Sequence, residues 1–170
     1  MRVRLERPSP KREEEFLRAV RRSRKLHRNL VTPPSTPERY RSLVKASRRA
    51  RRADFFVALE ATGDLVGVIN IEGITRGYFH SATLGYYGFM PFNGKGLMRE
   101  GLVAVIRHAF RRLKLHRLEA NIQPSNERSI ALVRGLGFKR EGYSPRYLKV
   151  SGRWRDHERW AILVDEWPPV

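Results

Sequence analysis

The residues best suited to chemistry lie in Asn93-Gly94-Lys95-Gly96-Leu97-Met98, a glycine-rich turn between an apolar, aromatic stretch (82–92) and a stretch of helical spacing (96–115). A glycine-rich loop entering a helix gathers free backbone N–H groups around one point. The positive end of the helix dipole adds to them, which makes a pyrophosphate cradle. A Gly-x-Gly turn also serves as a plain helix-capping loop, so a second spacing bears on the reading. Asn126 and Ser129 stand three apart, on one face of a helix's first turn. There Asn126 suits a cap, and the Ser129 hydroxyl suits a local bond to the backbone. Asp156-His157 has the composition of a catalytic dyad, yet adjacent strand residues point to opposite faces. Asp156 is therefore expected to anchor a hairpin, and Trp154 and Trp160 to pack.

These residues need elements to hold them. Alternation of apolar and charged residues over 2–7 predicts a strand. Ser9-Pro10 reads as N-cap and first helical position, with Phe16, Val20 and Ser23 on one face and Leu17 and Leu26 beside them. Three prolines make 32–37 a loop, and Thr36-Pro37-Glu38 opens a second helix with Tyr40, Leu43, Val44 and Ser47 inward. Strands follow at 55–61 and 65–74, turned by Thr62-Gly63-Asp64, and a long strand at 78–89 runs to the glycine turn. Beyond the turn, Leu102, Val105, Ile106, Ala109, Phe110 and Leu113 mark the buried stripe of a central helix. A strand at 116–122, a helix at 127–136 ended by Gly137, and strands at 143–150 and 157–164 around Ser151-Gly152 complete an α/β order.

A chain of 170 residues with 41% hydrophobic and 10% aromatic residues is expected to form one globular domain, 1–170. There is no cysteine, which removes disulfide, thiolate and Cys-zinc chemistry, and the histidines show no metal-ligand spacing. The N-terminal residues carry no apolar signal core, so a cytoplasmic location is expected. Lys and Arg number 35 against 17 acidic residues, a net charge of +18. Such a surface attracts polyanions: RNA, ribosomes, CoA phosphates. An Arg-rich composition with solvated helix faces accounts for it equally well. The basic residues cluster in 18–28 and 45–52.

Residues 65–167 resemble the GNAT acetyltransferase superfamily, and within it the RimJ/RimL branch that acetylates the N-termini of ribosomal proteins. The strings that carry the resemblance are Leu65-Val66-Gly67-Val68, Gly85-Tyr86, Gly94-Lys95-Gly96-Leu97-Met98-Arg99-Glu100, Asn126-Glu127-Arg128-Ser129, Gly135-Leu136-Gly137-Phe138, Glu141-Gly142-Tyr143 and Gly152-Arg153-Trp154-Arg155-Asp156-His157. The resemblance implies a single GNAT domain whose mixed, central β-sheet is splayed and flanked by helices. It implies acetyl-CoA in a gap between the strands at 82–89 and 117–122, the second bearing Asn121. Two splayed strands lose hydrogen-bond partners, and the pantetheine amides replace them. Tyr87, Phe89 and Met90 lie in the backbone stretch expected to meet the cofactor, Asn93 to Met98 would hold its pyrophosphate, and Asn126 and Ser129 would meet pantetheine and sulfur. Asn93 and Met98 depart from the usual motif; a side chain as large as Met98 could crowd the phosphates, but backbone N–H donors do most of the binding.

The resemblance further implies direct attack of an amine on the thioester, with a backbone N–H near Phe89 or Met90 polarising the carbonyl. Ser129 or Tyr143 (with Tyr147 as an alternative) would protonate the leaving thiolate. Two positions where relatives carry an acidic base hold Thr83 and Arg146 instead. Glu72 and His80 remain as base candidates. The expected acceptor is the N-terminus of a ribosomal or other protein, ribosome-bound, with rRNA or tRNA contact through the basic helices, the enzyme being a monomer or homodimer. A small-molecule amine, an aminoacyl-tRNA, or a non-catalytic acetyl-CoA-binding role are the alternatives.

Overall fold

In the computed structural model, which describes residues 1–167, seven strands form one sheet in the order β1-β2-β3-β4-β5-β7-β6. The strands are β1 (Val3–Glu6), β2 (Arg52–Leu59), β3 (Leu65–Thr75), β4 (Ser81–Gly88), β5 (Arg117–Ile122), β6 (Lys139–Val150) and β7 (Arg153–Leu163). The helices are α1 (Glu13–Arg22), α2 (Arg24–His27), α3 (Pro37–Ala46), α4 (Leu97–Arg111) and α5 (Glu127–Gly135). All pairings are antiparallel except β4 with β5. That parallel pair needs a crossover, and α4 supplies it. Among the described residues no helix is long and apolar enough to cross a membrane.

The strands β2 and β3 are buried on both sides. Val57, Ile69, Ile71 and Leu84 pack on the α4 stripe of Leu102, Val105, Ile106 and Ala109. Gly101 lets α4 come close, since a methyl there would lie 2.8 Å from a Val57 methyl. On the other face Phe56 and Val68 meet Phe16 and Val20 of α1 and Tyr40 and Val44 of α3. The stripe spacing of 3.6 and the strand period of two are what made these faces readable in sequence.

The element order agrees with the sequence reading, and four local differences have physical causes. The long strand begins at Ser81, not at residue 78, because Gly77 (φ 66°) and His80 (φ 42°) adopt left-handed backbone and hold 78–80 in a turn. The first helix stops at Ser23 and restarts as the single turn α2, which resets its phase. His27, 5% exposed, is therefore buried where Leu26 was expected. The last hairpin is longer than expected at its outset, with β6 starting at Lys139 and β7 at Arg153. Trp160 packs in the core as expected, whereas Trp154 is 61% exposed at the hairpin tip.

Candidate active site at the splay of the sheet

Strands β4 and β5 pair only at Ser81↔Arg117, Ala82↔Leu118 and Thr83↔Glu119. Beyond that last pair β4 stays on β3 as far as Gly88, and β5 stays on β7 as far as Ile122. The two limbs part into a V with its apex at Thr83 and Glu119. The Phe89 N–H donates to Val66 O at 2.7 Å. Bonding alternates along an antiparallel ladder, so Tyr86 and Gly88 turn their backbone groups the other way, into the V. The Gly88 carbonyl accepts from His27 Nε2 at 2.7 Å, leaving the Gly88 N–H and the Tyr86 groups toward the gap.

This geometry corrects the expectation for Phe89 and Met90. Phe89 N–H is spent on the ladder, and Met90 N–H donates to Ser23 Oγ at 2.9 Å. Neither is available to polarise a carbonyl. The Tyr87 side chain lies on the α1–α3 face and packs against His27 and Phe89. Its hydroxyl is buried with no partner, and burial drives its pKa far up.

Both ends of the V are bridged. Across the mouth, His27 holds β4, and Gln123 at the end of β5 donates its side-chain N–H to Asn29 O at 2.9 Å. The α2 turn thus spans the two limbs. On the opposite face the Tyr86 hydroxyl donates to Ser129 O at 3.3 Å, linking β4 to the first turn of α5. Burial pushes Tyr86 up to about 12. Asn126 caps α5 through Oδ1, which accepts from Ser129 N–H at 3.3 Å. Asn126 and Ser129 therefore meet the V beside Tyr86. Sequence reading gave Tyr86 no role, since only the splay brings its hydroxyl to α5.

The glycine turn sits at the mouth. Gly94 and Gly96 both have φ near 76°, and Gly96 is the N-cap of α4. Glu100 N–H bonds back to Gly96 O at 3.2 Å. The N–H groups of Leu97, Met98 and Arg99 precede it and have no carbonyl within the helix. Arg2 holds the turn from outside: its side chain ion-pairs with Glu100 at 2.6 Å and donates to Lys95 O at 3.1 Å. Met98 does not crowd the cradle. Its side chain folds back onto the sheet, where a methyl on Gly67 would meet its sulfur at 2.5 Å and one on Gly88 its Cγ at 3.4 Å. Two facing glycines on β3 and β4 make the seat for this methionine.

The base candidates separate. Glu72 is the direct cross-strand partner of Thr83, so it lies on the same face at the apex. Its carboxylate is tied to Arg52 at 2.8 Å, which also takes the fully buried Asp54 at 2.5 Å. Glu119 flanks Thr83 from the other side through the parallel pair, and Arg117 holds it at 2.8 Å. Glu119 escaped sequence reading because no local signal marks a pairing 36 residues apart. His80 precedes the paired end of β4, eight residues from Gly88, roughly 26 Å at strand rise. The structure does not bring it to the gap. Tyr143 donates to Asp156, which holds the phenol above its ordinary value, and Asp156 also accepts from Arg146 N–H at 2.7 Å. Asp156 is thus the hairpin anchor expected. Asn121 stands on β5 opposite Arg159, on the Glu119 face.

His27 titrates against its surroundings. Burial lowers its pKa, and its Nδ1 is buried without a partner. The folded state therefore prefers neutral imidazole. Its contribution is complete above the unfolded value of ~6.5 and is lost as pH falls from there toward the folded value. Stability should fall below pH ~6.5 with a slope no steeper than about 1.4 kcal/mol per pH unit, and His27→Gln should remove that component. Urea melts of both proteins between pH 5 and 8 check this; parallel curves would assign the acid loss elsewhere.

Comparison with known proteins is decided by one match: the family model described as an acetyltransferase (GNAT) domain covers residues 2–139. The chain belongs to the GNAT acetyltransferase family. This GNAT domain is 43% identical over 106 residues to the [ribosomal protein uS5]-alanine N-acetyltransferase of Escherichia coli, covering 62% of this chain and 55% of that protein. The matched segment spans about half the length of that relative. Among solved structures, Mycobacterium smegmatis RimJ in complex with CoA-disulfide aligns with a TM-score of 0.90 at 28% identity, covering 98% of this chain and 84% of that one. The ribosomal-protein-S5-alanine acetyltransferase of Vibrio fischeri aligns at 0.85 and 26% identity, covering 99% and 97%. GNAT acetyltransferases use acetyl-CoA, and the chain's own features fit it: a V with unspent backbone groups, and a left-handed glycine turn at a helix N-terminus.

Proposed function

We propose that this GNAT domain acetylates the N-terminal amine of a protein, a ribosomal protein foremost. The single observation that carries the reading is the V, open from Thr83–Glu119 to a mouth capped by the glycine turn. The name of the E. coli relative supports an alanine N-terminus on a ribosomal protein as acceptor. Acetyl-CoA supplies an acetyl thioester to the site. The Tyr86 N–H faces the gap deeper toward the apex and is the donor suited to polarise the reacting carbonyl. Leu97, Met98 and Arg99 N–H groups would hold the pyrophosphate, and the Gly88 N–H at the mouth a pantetheine amide.

A terminal amine with a pKa near ~8 is already partly neutral at physiological pH, so the base need accept only one proton. Glu72 and Glu119, paired by Arg52 and Arg117 at the apex, would take it through water. On the other face Ser129 and Tyr86 are the two hydroxyls at the V. We assign proton donation to the leaving thiolate to Ser129, with Tyr86 holding α5 in position.

The test is acetyl transfer from acetyl-CoA to a peptide beginning with alanine, beside the same peptide blocked at its terminus and carrying a free lysine. Transfer to the free terminus alone is expected. Transfer only to lysine, or to neither, overturns the reading. Ser129→Ala should then lower kcat ~10-fold or more at unchanged acetyl-CoA affinity. Loss of ~1 kcal/mol of stability with full turnover would leave Ser129 only a helix-turn element.

A further inference from the structure

At the end of the sheet opposite the mouth, three separate stretches of chain converge. The Arg51 side chain donates to Ile74 O at 3.1 Å and to Thr75 Oγ1 at 3.2 Å, fastening the turn after α3 to the β3–β4 loop. Arg76 in that loop donates to Leu113 O and so fastens the loop to the end of α4. Together they present Arg49, Arg51, Arg76, Arg112 and Lys114, all exposed. In the middle stand Tyr78, wholly exposed, and Phe79, 69% exposed. With His116 and Lys114 these two aromatics line a shallow surface cavity. The acidic residues of this pole are few: Glu166 is paired with Lys139, Glu141 with Arg117, and Asp165 lies in the turn after β7.

Arg52, grouped by sequence with its basic neighbours, does not belong here. It faces inward to Asp54 and Glu72.

We propose that this pole is a docking surface for RNA that offers unpaired nucleotides. Cations on three segments match a phosphate backbone, whose neutralisation releases counterions. Two bare aromatic rings among them match base faces, which stack on Tyr and Phe without regard to sequence. An acidic protein would use the charges but not the rings, and a purely apolar partner the reverse. The surface is distinct from the V and independent of the acceptor reading. An RNA bound there leaves the mouth open.

The test uses a fluorescein-labelled 15-nucleotide oligouridylate, with poly-L-glutamate as competitor at matched charge. Binding of the parent should weaken steeply with salt. Tyr78→Ala with Phe79→Ala should weaken binding about ten-fold at fixed salt and leave the salt slope unchanged, because no charge is lost. Arg49→Glu, Arg112→Glu and Lys114→Glu together should weaken binding and reduce the slope by about two. Thermal melts and acetyl-CoA calorimetry on the same proteins confirm that fold and cradle persist, whether or not any peptide is acetylated. Equal RNA binding by parent and aromatic variant overturns the proposal. So does poly-L-glutamate competing as well as RNA, which would mark an acidic-protein surface. Self-association of the parent that the aromatic variant abolishes would assign the patch to a second copy of the chain.

Discussion

Gly67→Ala should destabilise this protein by about 3 kcal/mol, lowering its melting temperature by roughly 6–12 °C. The added methyl would stand 2.5 Å from the Met98 sulfur, 2.5 Å from the Tyr87 carbonyl oxygen and 3.0 Å from the Gly88 Cα. The sulfur can swing aside. The carbonyl and the Cα belong to β4 and can move only if the β3–β4 ladder shifts. Gly67→Ala combined with Met98→Ala should therefore recover only part of the loss. The same displacement would push Gly88, whose N–H faces the V, so acetyl-CoA affinity should fall with stability. Calorimetry and thermal melts on the single and double variants check both. A single variant as stable as the parent would show that the strands do not approach as described.

Gly96→Asp should weaken acetyl-CoA binding at least 100-fold, about 3 kcal/mol. Three effects add. A side chain in left-handed backbone (φ 76°) costs about 1 kcal/mol or more of local strain. A carboxylate at the N-cap competes for the free N–H groups that a pyrophosphate would use. It also repels the phosphates. Arg2 softens the last effect, since its guanidinium lies 3.4 Å from where the new Cβ would stand. Gly96→Asn separates the contributions, because asparagine tolerates the backbone and carries no charge. Asparagine should lose a minority of the affinity and aspartate most of it. Unchanged affinity in the folded aspartate variant would remove the cradle from the site.

The two glycines act at different removes from the ligand. In the proposed site Gly96 would bear on the anion directly, through backbone that only glycine adopts cheaply. Gly67 acts through Met98, which reaches back from the first turn of α4 to lie over the sheet. An unusual side chain in the loop motif is thus matched by a missing one on β3. Loop spacing alone leaves crowding by Met98 open, because it says nothing of which way a side chain in the first helical turn points.

Much of this molecule was legible in one dimension. The stripe from Leu102 to Phe110, the alternation along β1, the Thr36 and Asn126 caps and the glycine turn at Gly94 and Gly96 are local properties, set by periods of 3.6 and two and by the backbone each residue tolerates. Of these, only the glycine turn and Asn126 also belong to the strings that carry the resemblance to GNAT enzymes. The separation of Asp156 from His157 followed from strand geometry alone.

What tertiary structure decided is whatever depends on pairing between distant segments. The parallel pair of β4 and β5 ends at Thr83↔Glu119, and that termination alone sets Glu119 beside Thr83, opens the V and frees the Gly88 N–H in place of Phe89 and Met90. Packing turned Arg52 inward to Asp54 while leaving Arg51 outward, and carried His80 to the end of the strand away from the gap. It also gathered Arg51, Tyr78 and Lys114 from three remote stretches onto one pole. The physical reason is common to all of these. A side chain's local preference fixes its element and its face, whereas its neighbours across the sheet are fixed by which strands meet, and in what register.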